Sequence, residues 1–477
     1  MLISSLHSAR LIAGTLSAFI LSSMIGLGVV HAQQPVLPID SKDTHLGVAT
    51  CAGSTCHGAP KPFDTSTVLQ NEFVTWHRED QHAQAYKTLL TEQSKRIASN
   101  LGLENAHTAK ECLVCHTDYV SEDLRGKRFQ VSDGVGCEAC HGGAKRWLGL
   151  HVTGEASHED NIKAGLYPTE DPAARATLCL SCHLGTSGDR QITHRIMGAG
   201  HPRLSFELDT FTIIEPAHYA VDKDYGERKA VFNSAQTWVQ GQLAASSSFL
   251  DQMANSKHQG IFPELVFFDC QGCHHPMSYG NVDKHPGRGW APRSSTGLGP
   301  GVVRLNDSAL LLVTAVAYGD SEKAGDNVRE GIRALHQATT QGWPATKKAA
   351  TSLKAQIDAL TEKMSGDLSA QAIQTMLAHV MSDGVSGEYR DYAAAEQGYL
   401  ALDSLVATLE ASSALSSAQK NNVRTAMDTL YNTLRTDEKG YRPSKDGYQP
   451  GEDDKDVYLA GRYMAAMKQL AGVLSGS

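Results

Sequence analysis

The stretch Cys137-Glu138-Ala139-Cys140-His141 places two cysteines three positions apart and a histidine directly after the second cysteine. The chain contains this arrangement five times, and in the first copy four residues instead of two separate the cysteines. The five copies are Cys51/Cys56/His57, Cys112/Cys115/His116, Cys137/Cys140/His141, Cys179/Cys182/His183 and Cys270/Cys273/His274. Together they use all ten cysteines of the 477-residue chain.

This motif has a direct chemical interpretation. Two thiols at this spacing reach the two vinyl groups of a haem, and the next residue then offers a neutral imidazole to the iron. Disulfides in an exported protein, or structural zinc sites, would also use paired cysteines, but neither requires a histidine at the next position. We therefore predict five covalently attached haems c, held by the ten cysteines, with these proximal iron ligands: His57, His116, His141, His183 and His274.

A second axial ligand sets the potential of each iron, and most remaining histidines lie in the same part of the chain as the motifs. We favour His82, which lies near a predicted helix start, His151, which follows the third motif, and His194 and His201, which follow the fourth. The lesser candidates are His45, His77, His107, His158, His218, His258, His275 and His285. Met197 and Met277 are weaker alternatives, and a methionine ligand would raise the potential.

The N-terminal residues 1–32 are typical of an export signal. Arg10 precedes the uncharged run from Leu11 to Val30, and Ala32 follows at a position that suits signal peptidase. The run is long, so an uncleaved membrane anchor is the alternative. In both cases we expect the rest of the chain to be exported, either to the periplasm or to the extracellular side at the cell surface.

Composition excludes other classes of protein. The formal net charge is −9 and no block of Lys and Arg occurs, which argues against nucleic-acid binding. Charged residues make up 20% of the chain, a fraction typical of a folded protein rather than a disordered polyelectrolyte.

The fold class that we predict is mainly α, with little regular sheet. We expect a pentahaem domain over residues 33–285, a Gly/Pro/Ser-rich linker over 286–301 and a C-terminal helical bundle over 302–477. Apolar residues recur at helical spacing in the last part, as in Leu353, Ile357, Leu360 and Met364. Pro344 suits the start of a helix, and the stretch from Ser416 to Gln419 predicts a capping box.

Several stretches resemble a family of exported multihaem cytochromes c, the cytochrome c-554-like group that includes tetrahaem electron acceptors of hydroxylamine oxidoreductase. The matching stretches lie within residues 45–310: 76–86, 136–142, 201–208, 270–276 and 304–307. The resemblance implies a mainly helical fold, closely stacked haems and mostly bis-histidine iron, with His82, His151, His194 and His201 at the ligand positions. This chain departs from the tetrahaem pattern because it has a fifth motif. Many pentahaem nitrite reductases carry a lysine at the catalytic haem, whereas all five motifs here end in histidine.

Two functions follow from these predictions. The favoured one is an electron carrier, and not an enzyme, that passes electrons between redox partners such as cytochromes or a quinol-oxidising membrane complex; a homo-oligomer or a larger haem assembly is compatible with it. The alternative is a multihaem oxidoreductase with one open haem acting on a small nitrogen or sulfur oxyanion, such as nitrite, or on hydroxylamine. In that case His45, His77, Arg78 and Tyr86 would line a pocket beside the first haem.

Overall fold

Helices joined by turns form nearly all of the regular structure. The structure is a computed structural model that describes residues 35–255, 264–273, 293–299, 301–412, 416–434, 458 and 460–475. Within these ranges the only β-type pairing consists of two isolated bridges, His45 with Arg125 and Phe268 with Leu305. The predicted mainly α class is therefore confirmed. The described residues belong to one compact unit, and none of their helices has the length and apolar character to cross a membrane. The predicted export signal lies outside the described residues.

The first part of the chain forms short helices. In chain order they are α1 (Glu72–Glu79), α2 (Ala85–Thr88), α3 (Glu92–Leu101), α4 (Lys110–His116), α5 (Cys137–His141), α6 (Leu148–His151), α7 (His158–Lys163), α8 (Pro172–His183), α9 (His194–Gly198), α10 (Leu208–Ile214) and α11 (Lys223–Arg228). Buried apolar side chains are scarce among them. They form two small clusters, Leu89/Ala98/Ala106/Leu113 and Ala176/Leu180/Leu208. Side chains alone therefore provide little core for this part of the protein.

Three of the cysteine motifs end a helix. The second, third and fourth motifs close α4, α5 and α8, each with its histidine as the last helical residue. Residues three apart on a helix share a face, so both cysteines of each motif point the same way. Gly142 ends α5 with a φ of 84°, and a Cβ there would come within 2.8 Å of the Gly165 carbonyl oxygen. The third motif thus needs glycine directly after its histidine.

The second part of the chain forms longer helices. They are α12 (Ser234–Asn255), α13 (Ser308–Asp320), α14 (Glu322–Thr339), α15 (Trp343–Lys363), α16 (Ala370–Ser386), α17 (Tyr392–Ala411), α18 (Ser417–Asn432) and α19 (Ala460–Ser475). One continuous apolar core runs through all eight, and the predicted stripe Leu353, Ile357, Leu360 and Met364 is buried in it. Ser416 and Gln419 form the predicted capping box at the start of α18.

Helix α12 connects the two parts. It packs against α8, which carries the fourth motif, and against α13, α15 and α17 of the bundle. Trp238, Leu243, Leu250 and Met253 on α12 are fully buried. The sequence placed this helix in the first domain, whereas its packing partners lie on both sides; the domain boundaries remain a prediction.

A buried group of charges lies at the start of the bundle. The Arg293 guanidinium donates to Asp307, and both side chains are almost completely buried. His336 Nε2 lies 3.4 Å from the second oxygen of Asp307. Arg304 binds Asp269 and Asp391, each at 2.8 Å. Arg293 belongs to the segment predicted as a linker, so that segment also supplies a buried ion pair.

The stability of the bundle should fall when the pH drops below about 6.5, the usual pKa of histidine. Burial lowers the pKa of His336, so the folded protein keeps this ring neutral while the unfolded chain takes up a proton. Stability from this residue is therefore present above pH 6.5 and is lost progressively towards the lower pKa of the folded state. Chemical denaturation between pH 7 and 5 measures the slope. His336→Gln should flatten it, and an unchanged slope in that variant would contradict the assignment.

Candidate functional site

Four of the five motifs surround one cavity of about 1460 Å³. A pocket for a drug-sized ligand measures only about 300 to 1,000 Å³. The cysteines and motif histidines in its wall are Cys51, His57, Cys112, Cys115, His116, Cys137, Cys140, His141, Cys179, Cys182 and His183. All predicted attachment residues of these four motifs except Cys56 are thus brought together around a space large enough for several cofactors.

The two cysteines of the first motif differ in exposure. We expected both cysteines of this motif to face a haem, but Cys56 is exposed and is absent from the cavity wall, which includes Cys51 and His57. The reason is local: this motif lies in turns, where the Cys56 N–H donates to the Gly53 carbonyl oxygen at 2.8 Å, so no helix places its two cysteines on one face. The structure thus brings Cys51 to the cavity wall and leaves Cys56 exposed, and haem attachment through both cysteines stays a prediction.

Each of these four motif histidines faces a second histidine ring. The first site pairs His57 with His151 at 6.0 Å between ring centres, and the second pairs His116 with His201 at 6.4 Å. The third and fourth sites show 6.2 Å each, for His141 with His218 and for His183 with His82. The same spacing therefore recurs at all four sites, although the angles between the ring planes range from 17° to 89°.

This spacing suits a metal ion between the rings. A metal bound about 2.0 Å from each ring nitrogen, with ring centres about 1.1 Å further out, separates the two centres by about 6 Å. Ordinary ring contacts cover the same range, as for Tyr86 and His107 at 6.5 Å, so the argument rests on the recurrence of this spacing at all four motif histidines. The four histidine pairs thus have the separation expected of two axial ligands on one iron.

The structure places the favoured second ligands unequally. His82, His151 and His201 each face a motif histidine, whereas His194 is exposed at the start of α9, where its backbone N–H donates to Glu264. The fourth partner is His218, which sequence reasoning ranked among the lesser candidates. No local pattern marks it, since it follows α10 in a segment without regular structure.

Acceptors orient several of these rings through Nδ1. Glu72 lies 2.9 Å from Nδ1 of His57 and Asp80 lies 3.0 Å from Nδ1 of His82. Each carboxylate raises the pKa of its histidine. At the second site backbone carbonyls orient the rings instead. Nδ1 of His116 lies 3.1 Å from the Ala85 oxygen, and Nδ1 of His201 lies 2.9 Å from the Pro202 oxygen. With Nδ1 engaged, Nε2 is left for a metal.

Burial keeps the other motif histidines neutral. It lowers the pKa of His141 to about 3 and that of His183 to about 4. A neutral imidazole is the form that binds a metal, so no proton has to be displaced at neutral pH.

Cysteines of different motifs also lie close together. Cys51 and Cys137 are near enough to shift the pKa of each other's thiol, and so are Cys115 and Cys182. The contact with Cys115 lowers the pKa of Cys182 to about 6. The first site therefore borders the third, and the second borders the fourth.

The wall also carries cations, which are Arg175, Arg190, Arg195, Arg228 and Lys229. Arg190 is 8% exposed and donates to Ser181 at 2.9 Å. The Nε of Arg175 is buried with no hydrogen-bond partner, a state that ordinarily costs free energy. An anionic group entering the cavity, such as a haem propionate, would satisfy it. The donor set, the ring spacing and this orphaned nitrogen all fit haem.

The fifth motif lies apart from this cavity. Cys270 and Cys273 are exposed, and His274 is outside the described residues, as are His258, His275, His285 and Met277. Neither described cysteine of this motif lines the cavity of the other four. Its segment pairs instead with the start of the bundle, through the bridge between Phe268 and Leu305 and the ion pair of Asp269 with Arg304.

The residues proposed for an open pocket have other contacts. His45 is buried and lies 2.8 Å from Asp118, His77 stacks on Phe73, and Tyr86 contacts the ring of His107. Within the described chain, the wall of the large cavity includes none of His45, His77, Arg78 and Tyr86. At the first site, His151 occupies the position opposite His57 instead.

Paired cysteines followed by histidine, gathered around one cavity, form the haem-attachment arrangement that c-type cytochromes use. Residues 39–142, which contain the first three motifs, match the family model of cytochrome c554 and c-prime. The predicted resemblance is thereby confirmed for this segment. No curated protein and no solved structure matches the chain.

Proposed function

We propose that the chain is an exported pentahaem cytochrome c that passes electrons between redox partners along closely spaced, mostly bis-histidine haems. The observation that supports this proposal most strongly is the set of four histidine pairs with ring centres 6.0 to 6.4 Å apart. Bound haem supplies a one-electron iron couple at each site.

The residues of the chain have three roles in this proposal. The cysteines hold each cofactor covalently, so it cannot dissociate. The histidine pairs would supply two ligands to the iron of each bound haem, which favours electron transfer over substrate binding and disfavours the oxidoreductase alternative at these four sites. The contacts of Cys51 with Cys137 and of Cys115 with Cys182 place neighbouring sites side by side, which suits electron transfer between them.

Partners should be other redox proteins, such as cytochromes or a quinol-oxidising membrane complex, on the outer side of the inner membrane. The net charge of −9 favours a partner with a basic docking face. Association of that kind is faster at low ionic strength.

The test is haem quantification by intact mass, together with low-temperature electron paramagnetic resonance of the oxidised protein. We expect five covalently bound haems, with low-spin signals from the four sites that have histidine pairs. A high-spin signal at one of those four sites that shifts on adding nitrite or hydroxylamine would favour the oxidoreductase instead. A protein without covalent haem would overturn the proposal.

A further inference from the structure

We propose that Glu72 and Asp80 lower the reduction potentials of the first and fourth sites below those of the neighbouring sites that they border. This inference rests on the proposed function and deepens it, because it assigns a direction to electron flow within each pair of adjoining sites. Glu72 and Asp80 are positioning residues, since they act through the histidines that they bind.

Glu72 is built into the first site. It is the first residue of α1; its Oε2 lies 2.9 Å from Nδ1 of His57, and its Oε1 accepts the Gln70 N–H at 3.1 Å. Gln70 has a φ of 57°, a left-handed conformation that costs free energy in a residue other than glycine. The strained residue thus lies two positions before the carboxylate that binds His57.

Asp80 is built into the fourth site in a similar way. Its Oδ1 accepts the backbone N–H of His82 at 2.9 Å and lies 3.0 Å from Nδ1 of the same residue. The Asp80 side chain is 7% exposed, so water screens its charge little. Both carboxylates therefore bind a ligand histidine by a charge-assisted hydrogen bond.

The neighbouring sites lack this feature. At the second site, Nδ1 of His116 and Nδ1 of His201 contact neutral backbone carbonyls. Among the described residues, no carboxylate is hydrogen-bonded to either ring of the third site, His141 or His218. The four sites thus fall into two classes, and each adjoining pair contains one member of each class.

The physical consequence follows from ligand basicity. An imidazole whose Nδ1–H donates to a carboxylate carries more electron density on Nε2 and is a stronger donor to its metal. A stronger donor stabilises the ferric state more than the ferrous state, which lowers the reduction potential. An electron that enters the adjoining first and third sites should then rest on the third. In the other pair it should rest on the second.

The test uses variants that keep an acceptor and remove the charge. Glu72→Gln should shift the reduction equilibrium of one haem about tenfold towards the ferrous state, which is about 59 mV for a one-electron couple. Asp80→Asn should do the same for a different haem. A spectroelectrochemical titration followed by electron paramagnetic resonance identifies which haem moves.

Glu170→Gln is the matched control. Glu170 lies in the wall of the same cavity and binds His158 at 2.6 Å, but the ring of His158 faces no motif histidine. Removing this charge should change each haem equilibrium by less than threefold. Equal shifts in the Glu170 and Glu72 variants would overturn the proposal, because they would show a general effect of charge. The absence of a shift in both Glu72→Gln and Asp80→Asn would also overturn it.

If one variant loses haem, the result from the other variant decides. Glu72→Asp retains the charge and should therefore keep the reduction potential of the native protein. Measurements on the unmodified protein distinguish a failure of the proposed function from a failure of this inference. If it lacks low-spin haem, the proposed function fails. If it carries low-spin haem and the variants titrate as it does, only this inference fails.

Discussion

Replacing His218 with methionine is expected to raise the reduction potential of one haem on the order of 0.1 V, because a thioether ligand favours ferrous iron. The ring of His218 lies 6.2 Å from that of His141, which ends α5 directly after the third cysteine pair. The first, second and fourth sites should keep their potentials, since each retains both of its histidines. A redox titration followed in the visible spectrum measures the change.

His194→Met is the control for this substitution. His194 lies on the exposed side of α9 and faces none of the four motif histidines that line the large cavity. This variant should leave the potentials of those four sites unchanged. If it moved one of them while His218→Met moved none, the pairing of His218 with His141 would be wrong.

Replacing Arg293 with methionine should destabilise the protein by about 3 to 5 kcal/mol, because it leaves a buried carboxylate without its partner. Burial alone would raise the pKa of Asp307, but the Arg293 guanidinium holds it below the ordinary value. Asp307 is therefore ionised in the folded protein, and the loss of Arg293 leaves this charge uncompensated. Denaturant titration of the helical signal, at constant haem content, measures the difference.

The double variant Arg293→Met/Asp307→Leu tests the cause. If the cost comes from an unpaired charge, removing both partners should restore most of the lost stability. A double variant as unstable as the single one would show instead that the two side chains are needed for their shape. A loss below about 1 kcal/mol in the single variant would contradict the importance of the pair.

The sequence was most informative where the structure is local. A cysteine pair and its histidine lie within a few residues, so Cys137, Cys140 and His141 could be assigned to one site without knowing the fold. Helix α18 was predictable for the same reason, since Ser416 and Gln419 satisfy each other's backbone across one turn. The wider spacing of the first motif places Cys56 in a turn, where it is exposed and is not among the residues that line the cavity with Cys51.

The histidine pairs were harder to predict because they are long-range. His82 precedes His183 by most of the first part of the chain, and nothing near either residue specifies the other. His194 seemed a better ligand than His218 because it lies closer to the fourth motif in sequence. The folded chain instead brings the segment after α10, with His218, to the third site.

No pattern in the sequence indicated the buried charges of the bundle. Arg293 lies in a stretch rich in glycine, proline and serine, a composition that normally indicates an exposed connection. Its burial depends on Asp307 and His336, which come from the start of α13 and from α14. Sequence periodicity detects apolar faces, but it does not reveal which polar residues will pair inside them.

The position of the fifth motif has a consequence for biogenesis. The Cys270–Gly272 turn packs on later residues: a Cβ at Gly272 would come within 2.6 Å of Val303, and Asp269 shares Arg304 with Asp391. During export, the first four motifs therefore have all of their histidine partners once residue 218 has emerged. The fifth cysteine pair gains its neighbours Val303 and Arg304 only with later residues of the chain, so its surroundings are the last to be completed.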